Sequence, residues 1–148
     1  MDGTTSPAGP LDHLPSWLLS RAAARSHRVL QRHLRAAGST GYEYRVVAAL
    51  AAHGVQSQAD VGRAVALDRR DVTHTVRALE ERGLVQRAQD ATDARLVRVG
   101  LTPAGRQEWT RLEQVMQDVQ DELLAPLDPA EARVLTELVG RLDDCVSP

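Results

Sequence analysis

Apolar and polar positions alternate with a helical period in the first part of the chain. A first helix is predicted over residues 17–37, because its apolar residues form one stripe and Gly38 is a common helix stop. A second helix is predicted over residues 42–52, with Gly54 as its stop. Each stripe covers one side of its helix, so both helices are expected to pack against a partner surface.

Two shorter helices are predicted in the middle of the chain, over residues 57–65 and 68–82. Each opens on a short polar residue, Ser57 or Asp68, with an acidic residue three positions on, which is a capping signature. The connection between them is tight, and on the second helix the apolar residues lie opposite a polar, arginine-rich face. Two helices joined in this way are typical of a helix-turn-helix, whose second helix enters the major groove of DNA.

After Gly83 the apolar period changes from that of a helix to that of a strand. Residues 84–88 are followed by a polar loop, and Val97, Val99 and Leu101 then fall on one face of a second strand. The pattern predicts a hairpin directly behind the second short helix. A helix-turn-helix followed by such a two-stranded β ribbon is a winged helix.

Two amphipathic helices are predicted to complete the chain. Thr102 and Asp128 cap them, and a proline follows each cap at the first helical position. In the first of the two, apolar residues repeat at alternating steps of three and four, as in helices that pack along a seam. We therefore predict a mainly α fold with a disordered lead at residues 1–13, helical regions at 14–38 and 103–148, and a winged helix-turn-helix at 39–102.

Charge is distributed unevenly along the chain. Residues 1–105 carry 14 arginines against 10 acidic residues, a net +4, whereas residues 106–148 carry 4 arginines against 10 acidic residues, a net −6. The overall net charge is −2. If the two parts form different faces, the first can approach a polyanion such as nucleic acid.

Candidate catalytic chemistry is sparse. The 5 histidines do not show metal-ligand spacing, and neither a Gly-rich phosphate loop nor a nucleophile elbow occurs in the sequence. We therefore expect neither an enzyme nor a bound metal or other cofactor. The single cysteine, Cys145, excludes an internal disulfide and leaves a redox-responsive thiol as an alternative.

The most specific stretch is DATDARLVRVGLTPAG, at residues 90–105, which contains an Asp, one residue, an Arg, five residues and then Leu-Thr-x-x-Gly. This pattern resembles that of the MarR family of bacterial transcription regulators. The run ALEERGLVQR, at residues 78–87, is similar to the family's passage from recognition helix into wing. The resemblance covers roughly residues 14–146. The pattern is met by Asp93, Arg95, Leu101, Thr102 and Gly105.

Two positions depart from the family pattern. Ala94 stands where many members have a second arginine, and we expect weaker contact between wing and phosphate there. Gly62 stands where alanine is usual, which lowers the helix propensity of the first short helix.

The resemblance implies a triangular homodimer in which the N- and C-terminal helical regions interleave as a dimerisation domain. Its two winged helices would read a pseudo-palindromic site on double-stranded DNA, usually to repress transcription. By the same analogy Arg95 enters the minor groove and Asp93 holds its guanidinium. A narrow minor groove concentrates negative potential and favours an inserted arginine, which supports this interpretation physically.

Further DNA contacts are expected from both helices of the helix-turn-helix. The backbone N–H groups at the start of the first helix, at Ser57, and Gln58 beside them are candidates for holding a phosphate. Arginines at the start of the second, recognition helix are candidates for guanine edges or for phosphates, and the sequence leaves both open. The candidates on the recognition helix are Arg69, Arg70, Thr73, His74 and Arg77.

A ligand site is a further implication of the resemblance. MarR-like proteins often sense small, frequently anionic aromatic ligands, on which an aromatic side chain stacks while an arginine pairs with the carboxylate. The alternative is that the aromatic residues pack at the base of the dimer. The candidates for the ligand site are Trp17, Arg21, Arg25, Tyr42 and Tyr44.

One alternative function from another class is a winged helix used for protein contact, which has no need of Arg95 at its wing tip. The sequence contains no run of about 18 apolar residues and no signal-peptide pattern. We therefore expect a cytoplasmic protein without membrane association, located at the nucleoid when it is bound to DNA.

Overall fold

The computed structural model describes residues 9–144 of the 148-residue chain, and only the backbone at Asp144. Six helices and three strands occur in this part of the chain, and they form the mainly α winged-helix architecture that the sequence predicts. In chain order the elements are α1 (Pro15–Ala36), α2 (Gly41–His53), β1 (Gln56–Ser57), α3 (Gln58–Ala64), α4 (Arg69–Glu81), β2 (Val85–Gln89), β3 (Val97–Leu101), α5 (Pro103–Leu124) and α6 (Pro129–Asp144).

Helix boundaries follow local capping chemistry. At the start of α2, the Glu43 backbone N–H donates to Thr40 Oγ1 over 3.1 Å and the Thr40 N–H donates to Glu43 Oε2 over 3.3 Å. Ser57 and Asp68 cap α3 and α4 as predicted, each accepting a bond from the N–H three positions on. Gly83, with φ of 72°, then takes a conformation that other residues rarely adopt, and the chain leaves α4.

The three strands form one antiparallel sheet in the order β1-β3-β2. β2 and β3 are the predicted wing hairpin, in which Val99 pairs with Arg87. On the other side of β3, Gln56 of β1 also pairs with Val99. The sequence predicted only the two-stranded hairpin, since a strand of two residues is too short to show an alternating pattern.

A compact unit of residues 30–117 contains the hydrophobic core. It extends beyond the predicted winged helix because Leu34, from α1, and Leu112, from α5, are fully buried in it. On α4, the apolar residues opposite the arginine-rich face are the ones that enter the core. The buried members of the core are Leu34, Val46, Val47, Leu50, Val61, Val65, Val72, Val76, Leu79, Leu84, Val85, Val99 and Leu112.

The described residues up to 29 and from 118 belong to a second unit. Within the segment predicted as a disordered lead, residues 10–13 form a turn, and the Gly9 N–H donates to Asp12 Oδ2 over 2.7 Å. Residues 1–8 lie outside the described part of the chain. No helix in the described part is both long and apolar enough to cross a membrane.

The passage from the wing into α5 is closed by hydrogen bonds. The Thr102 N–H donates to Leu84 O over 3.1 Å, and the Thr102 hydroxyl donates to Gly83 O over 2.6 Å. Thr102 Oγ1 also caps α5 by accepting the Gly105 N–H over 3.0 Å. A Cβ atom at Gly105 would overlap the Leu84 carbonyl oxygen, so the close approach requires glycine.

Candidate nucleic-acid interface

The outward face of α4 carries the predicted recognition residues. The side chains of Arg69, Arg70, His74 and Arg77 are exposed, and that of Thr73 is half-buried. Together with Asp71 these residues line an open groove of about 690 Å³. Arginine and histidine supply hydrogen-bond donors, and the groove therefore suits an anionic ligand with acceptor atoms, such as DNA.

The start of α4 is fixed by its own capping residue. Asp68 Oδ1 accepts a bond from the Asp71 backbone N–H over 2.8 Å. The Asp68 carboxylate therefore serves as the predicted cap. Because capping sets where α4 begins, it also determines the direction in which Arg69 and Arg70 leave the helix.

The predicted phosphate-binding pair, Ser57 and Gln58, uses its side chains within the fold. The buried Ser57 hydroxyl donates to Asp60 Oδ2 over 2.6 Å and accepts the Asp60 N–H over 3.1 Å. This bond, followed by one from Arg63, holds the pKa of Asp60 below its usual value. Gln58 Nε2 donates to Thr73 Oγ1 over 2.9 Å. Only backbone N–H groups and the second N–H of Gln58 are left for a phosphate.

The wing brings Asp93 and Arg95 together. Asp93 Oδ1 accepts the Arg95 backbone N–H over 3.0 Å and its Nε–H over 3.1 Å, while Oδ2 lies 3.4 Å from Nη2. The Arg95 side chain is nonetheless 89% exposed. The Asp93 carboxylate thus holds the Arg95 guanidinium, which remains open to solvent, in the pairing that the family resemblance implied.

Asp90, which the sequence analysis did not single out, organises the loop between the wing strands. Its Oδ1 accepts bonds from the Thr92 hydroxyl, the Thr92 N–H and the Asp93 N–H, over 2.6, 2.8 and 3.1 Å. These bonds, the one from the Thr92 hydroxyl first, lower the pKa of Asp90. On its other side, Asp90 Oδ2 lies 3.7 Å from Arg98 Nε. The loop that presents Arg95 is therefore ordered by a carboxylate.

A cleft of about 450 Å³ connects α3, the start of α4 and the wing. Three arginines line it: Arg69 and Arg95, predicted from different motifs, and Arg63, which the sequence analysis missed. Arg63 also pairs with Asp60 and keeps 71% of its side chain exposed. The cleft places positive charge from three elements around one opening, and this favours binding of a polyanion.

Comparison with known proteins identifies the scaffold that carries these residues. The sequence model of the MarR family matches residues 40–97, from the start of α2 into the wing. The transcriptional regulator PcaV from Streptomyces coelicolor, solved in complex with its natural ligand, is 30% identical. The alignment covers 95% of this chain and 99% of PcaV, with a TM-score of 0.75. The chain belongs to the MarR family.

Two further relatives extend over most of this MarR-family chain. The transcriptional repressor NicR from Pseudomonas putida is 27% identical over 95% of this chain and 94% of its own. BpsR from Bordetella bronchiseptica is 28% identical, and its DNA binding is regulated by 6-hydroxynicotinic acid. The alignment covers 93% of this chain and 98% of BpsR, with a TM-score of 0.76. The protein is therefore a transcription regulator of the MarR family.

An ionic cluster anchors the C-terminal end of α4. Arg82 Nη1 lies 2.8 Å from Glu43 Oε2 of α2, and Arg82 Nη2 lies 3.7 Å from Glu108 Oε1 of α5. Arg111 completes the cluster, donating to Glu108 over 2.6 Å and to the Ala37 carbonyl oxygen over 2.7 Å. The bond to Glu108 raises the pKa of Arg111. Glu108 and Arg111 are three positions apart on α5, but the bonds from Arg82 to Glu43 and from Arg111 to Ala37 join residues distant in sequence, and the sequence analysis did not predict the cluster.

A second ion pair ties α4 to the first wing strand. Arg87 donates from Nε to Glu80 Oε2 over 2.8 Å, and its Nη2 lies 2.7 Å from the same oxygen. This bond lowers the pKa of Glu80. The recognition helix and the wing of this MarR-family protein are thus joined by a side-chain bridge as well as by the backbone.

The residues predicted to bind a ligand fall in both units. Tyr44 is half-buried and stacks on Trp109 with ring centroids 6.0 Å apart, and burial, followed by the charge of Glu113, raises its pKa. The Tyr42 ring is 45% exposed and lies 5.0 Å from the Arg45 guanidinium carbon. The exposed α1 residues Trp17, Arg21 and Arg25 belong to the other unit.

Two alternatives concern metal and thiol chemistry. Within the described residues, no group of three or more His, Cys, Asp or Glu side chains is arranged to hold a metal ion. Cys145, the candidate for redox control, lies outside the described part of the chain.

Proposed function

We propose that this MarR-family regulator binds double-stranded DNA as a homodimer at a pseudo-palindromic operator and represses transcription. The observation that carries the proposal is the joint placement of two cationic elements in one compact unit. The exposed face of α4 carries Arg69, Arg70 and Arg77, and the wing holds Arg95 on Asp93. α4 has the dimensions and donors to enter a major groove, while Arg95 suits the adjacent minor groove.

The homodimer is supported by the apolar face of α6. In the single chain five apolar residues of this helix are each at least 40% exposed. Large apolar faces on soluble proteins mark interaction sites, and a second copy of the same face is the simplest partner for a regulator that reads a symmetric site. The five residues are Val134, Leu135, Leu138, Val139 and Leu142.

We further propose that a small aromatic anion releases the protein from DNA. Support comes from two relatives: BpsR, regulated by 6-hydroxynicotinic acid, and PcaV, solved with its natural ligand. In this chain Arg21 and Arg25 of α1 offer guanidinium groups for a carboxylate, and the exposed ring of Trp17 on the same helix offers a stacking surface. Tyr44 is a weaker candidate because it already stacks on Trp109.

The proposal is tested by footprinting the purified protein on DNA that flanks its own gene, at about 150 mM salt to suppress non-specific phosphate binding. Two protected half-sites about one helical turn apart would support a dimeric operator-binding regulator. No protection on the flanking DNA or on genome-wide fragments would contradict it and favour a protein-contact winged helix.

Ligand release is tested on the same operator with 6-hydroxynicotinate as the probe and benzoate as a simpler aromatic acid. Release that is lost in Arg21→Ala and Arg25→Ala, with operator affinity retained, would support the proposed residues. Release that is equal in the wild type and both variants would place the anion elsewhere.

A further inference from the structure

Thr73 occupies the middle of the groove-facing side of α4, and its hydroxyl makes two hydrogen bonds inside the protein. The hydroxyl donates its proton to the Arg69 carbonyl oxygen over 2.7 Å. Its oxygen accepts a bond from Gln58 Nε2 over 2.9 Å. Thr73 nevertheless lines the groove, together with Arg69, Arg70 and Arg77.

These two bonds restrict what Thr73 can offer to a base. A hydroxyl has one proton to donate, and that proton is directed at the Arg69 carbonyl. The side chain therefore has no donor for the acceptor atoms that guanine and thymine present in the major groove. Its oxygen keeps one acceptor lone pair, and its other contact group is the Cγ2 methyl, which in the major groove pairs with the C5-methyl of thymine.

Gln58 selects the orientation of Thr73. A threonine in a helix divides between two side-chain rotamers, because its hydroxyl can reach the carbonyl oxygens of the preceding turn in either. The bond from Gln58 comes from another helix, α3, and is compatible only with a rotamer that points the hydroxyl towards α3. The orientation of the Gln58 amide follows from the same bonds. Because the Thr73 hydroxyl proton is directed at the Arg69 carbonyl oxygen, the Thr73 oxygen accepts, and the NH2 group of Gln58 faces it.

Holding the Gln58 side chain in this position is unfavourable in free energy. Its Oε1 atom is buried and has no hydrogen-bond partner among the described residues. A buried acceptor without a partner is unfavourable, so Gln58 is a poor choice if its only task is to stabilise the fold. Orienting Thr73 gives it a second task.

We propose that Thr73 reads a thymine through its methyl group and that Gln58 is the positioning residue that keeps this methyl facing the groove. The inference rests on the proposed DNA binding and adds to it the base that one position of α4 prefers. The other predicted DNA-binding residues on this face of α4 are cationic or ionisable. The proposed preference for one base would therefore come from an apolar contact.

The test compares thymine with deoxyuridine, which lacks only the C5-methyl, at each thymine of the operator selected by the wild-type protein. Thr73→Val keeps a methyl and removes the hydroxyl, whereas Thr73→Ser keeps the hydroxyl and removes the methyl. We expect the wild type and T73V to lose about four-fold in affinity at one thymine per half-site, the effect of burying one methyl group. We expect T73S to bind both bases equally.

Gln58→Met tests the positioning role, since it keeps a long side chain and removes the amide. We expect its thymine-to-uridine affinity ratio to fall towards one, and this ratio is the readout because losing an amide N–H that can reach a phosphate lowers the affinity for both DNAs alike. A merely structural role for Gln58 would lower the affinities for the thymine and uridine operators equally and leave the ratio unchanged, which would contradict positioning.

Three outcomes would overturn the inference about Thr73. In the first, the wild type binds its operator specifically but never distinguishes thymine from uridine. In the second, T73S keeps the wild-type ratio. In the third, T73V loses operator binding while its melting temperature is unchanged, which would mean that the hydroxyl oxygen accepts a bond from a base. A wild-type protein that selects no DNA sequence would contradict the proposed function itself.

Discussion

Asp93 Oδ1 lies 3.0 Å from the Arg95 backbone nitrogen and 3.1 Å from Arg95 Nε, so one carboxylate oxygen orders both the main chain and the side chain of the wing-tip arginine. Ordering before binding lowers the entropy that the side chain loses when it is immobilised on DNA. In the proposed DNA complex, the pair would therefore contribute through preorganisation as well as through charge.

Replacing Arg95 by Ala should weaken operator binding by about tenfold and reduce the slope of log affinity against log salt by about one per subunit. The reason is that one inserted cation is lost from each wing. Fluorescence anisotropy at several salt concentrations measures both quantities. Asp93→Ala should have a smaller effect, because the cation remains but is no longer held.

The matched control for this prediction is Arg133→Ala, which removes an exposed arginine of α6. It should leave both affinity and salt slope unchanged. If R95A and R133A bind the operator equally well, the wing takes no part in DNA binding.

Replacing Arg82 by Ala should lower the free energy of unfolding by about 2 kcal/mol, the scale of hydrogen bonds to charged groups. The carboxylates of Glu43 and Glu108, only 13% and 11% exposed, would lose their shared cation. Urea denaturation followed by circular dichroism measures the change. Arg70→Ala, on the exposed face of α4, is the control and should unfold as the wild type does. Equal stability of R82A and wild type would mean that the cluster is effectively solvated.

Replacing Gly105 by Ala should destabilise the protein by about 3 kcal/mol or more, because the new Cβ would overlap the Leu84 carbonyl oxygen. Gly62→Ala is the matched control. Its Cβ would lie 3.3 Å from Leu67 O and Val72 Cγ1, a tight contact, while the gain in helix propensity is about 1 kcal/mol. We expect G62A to be near neutral in thermal melting, and similar melting temperatures for the two variants would contradict this account.

Lowering the pH should lower the free energy of unfolding, because protonation of Asp90 weakens the hydrogen bonds that order the wing loop. The pKa of Asp90 is lowered by hydrogen bonds, so its contribution to stability is complete above the unfolded value of about 3.9 and is lost as the pH falls through the lower folded value. Urea unfolding measured from about pH 5 to pH 2 should show this decline. Asp90→Asn, which lacks the titrating carboxylate, should show a shallower decline, and an identical profile would remove Asp90 as a cause.

Replacing Leu138 by Glu should dissociate the proposed dimer, because a charge would be buried in the apolar face of α6. Sedimentation equilibrium distinguishes the two species. Thr136→Glu, placed away from the apolar stripe on the same helix, is the control and should remain dimeric. A dimeric L138E would place the interface elsewhere.

Much of the fold could be predicted because its signals are local. Ser57 and Asp68 specify the starts of α3 and α4 through bonds to residues three positions away. The wing was predicted from alternation alone, and Val99 is buried as that pattern requires. Such features depend on neighbours in sequence, which a single chain displays directly.

The remaining features depend on residues that are distant in sequence. Arg82 lies 39 positions from Glu43, and Gln58 lies 15 positions from Thr73, so no periodic pattern connects either pair. Tyr44 stays a candidate for the ligand site, and the stacking of its ring on Trp109 of α5 is a contact that the sequence analysis did not predict. The packing of α2 against α5 decides this contact, and packing cannot be read from one helix at a time.

The hydrogen bonds of Thr102 to Gly83 and Leu84 also bear on how the protein can be switched. They fasten the first turn of α5 to the point where α4 ends and the wing begins. A rotation of the start of α5 would therefore be transmitted to the end of α4 and to the first wing strand together. In the proposed DNA complex, the contacts of α4 and those of the wing would then be lost together.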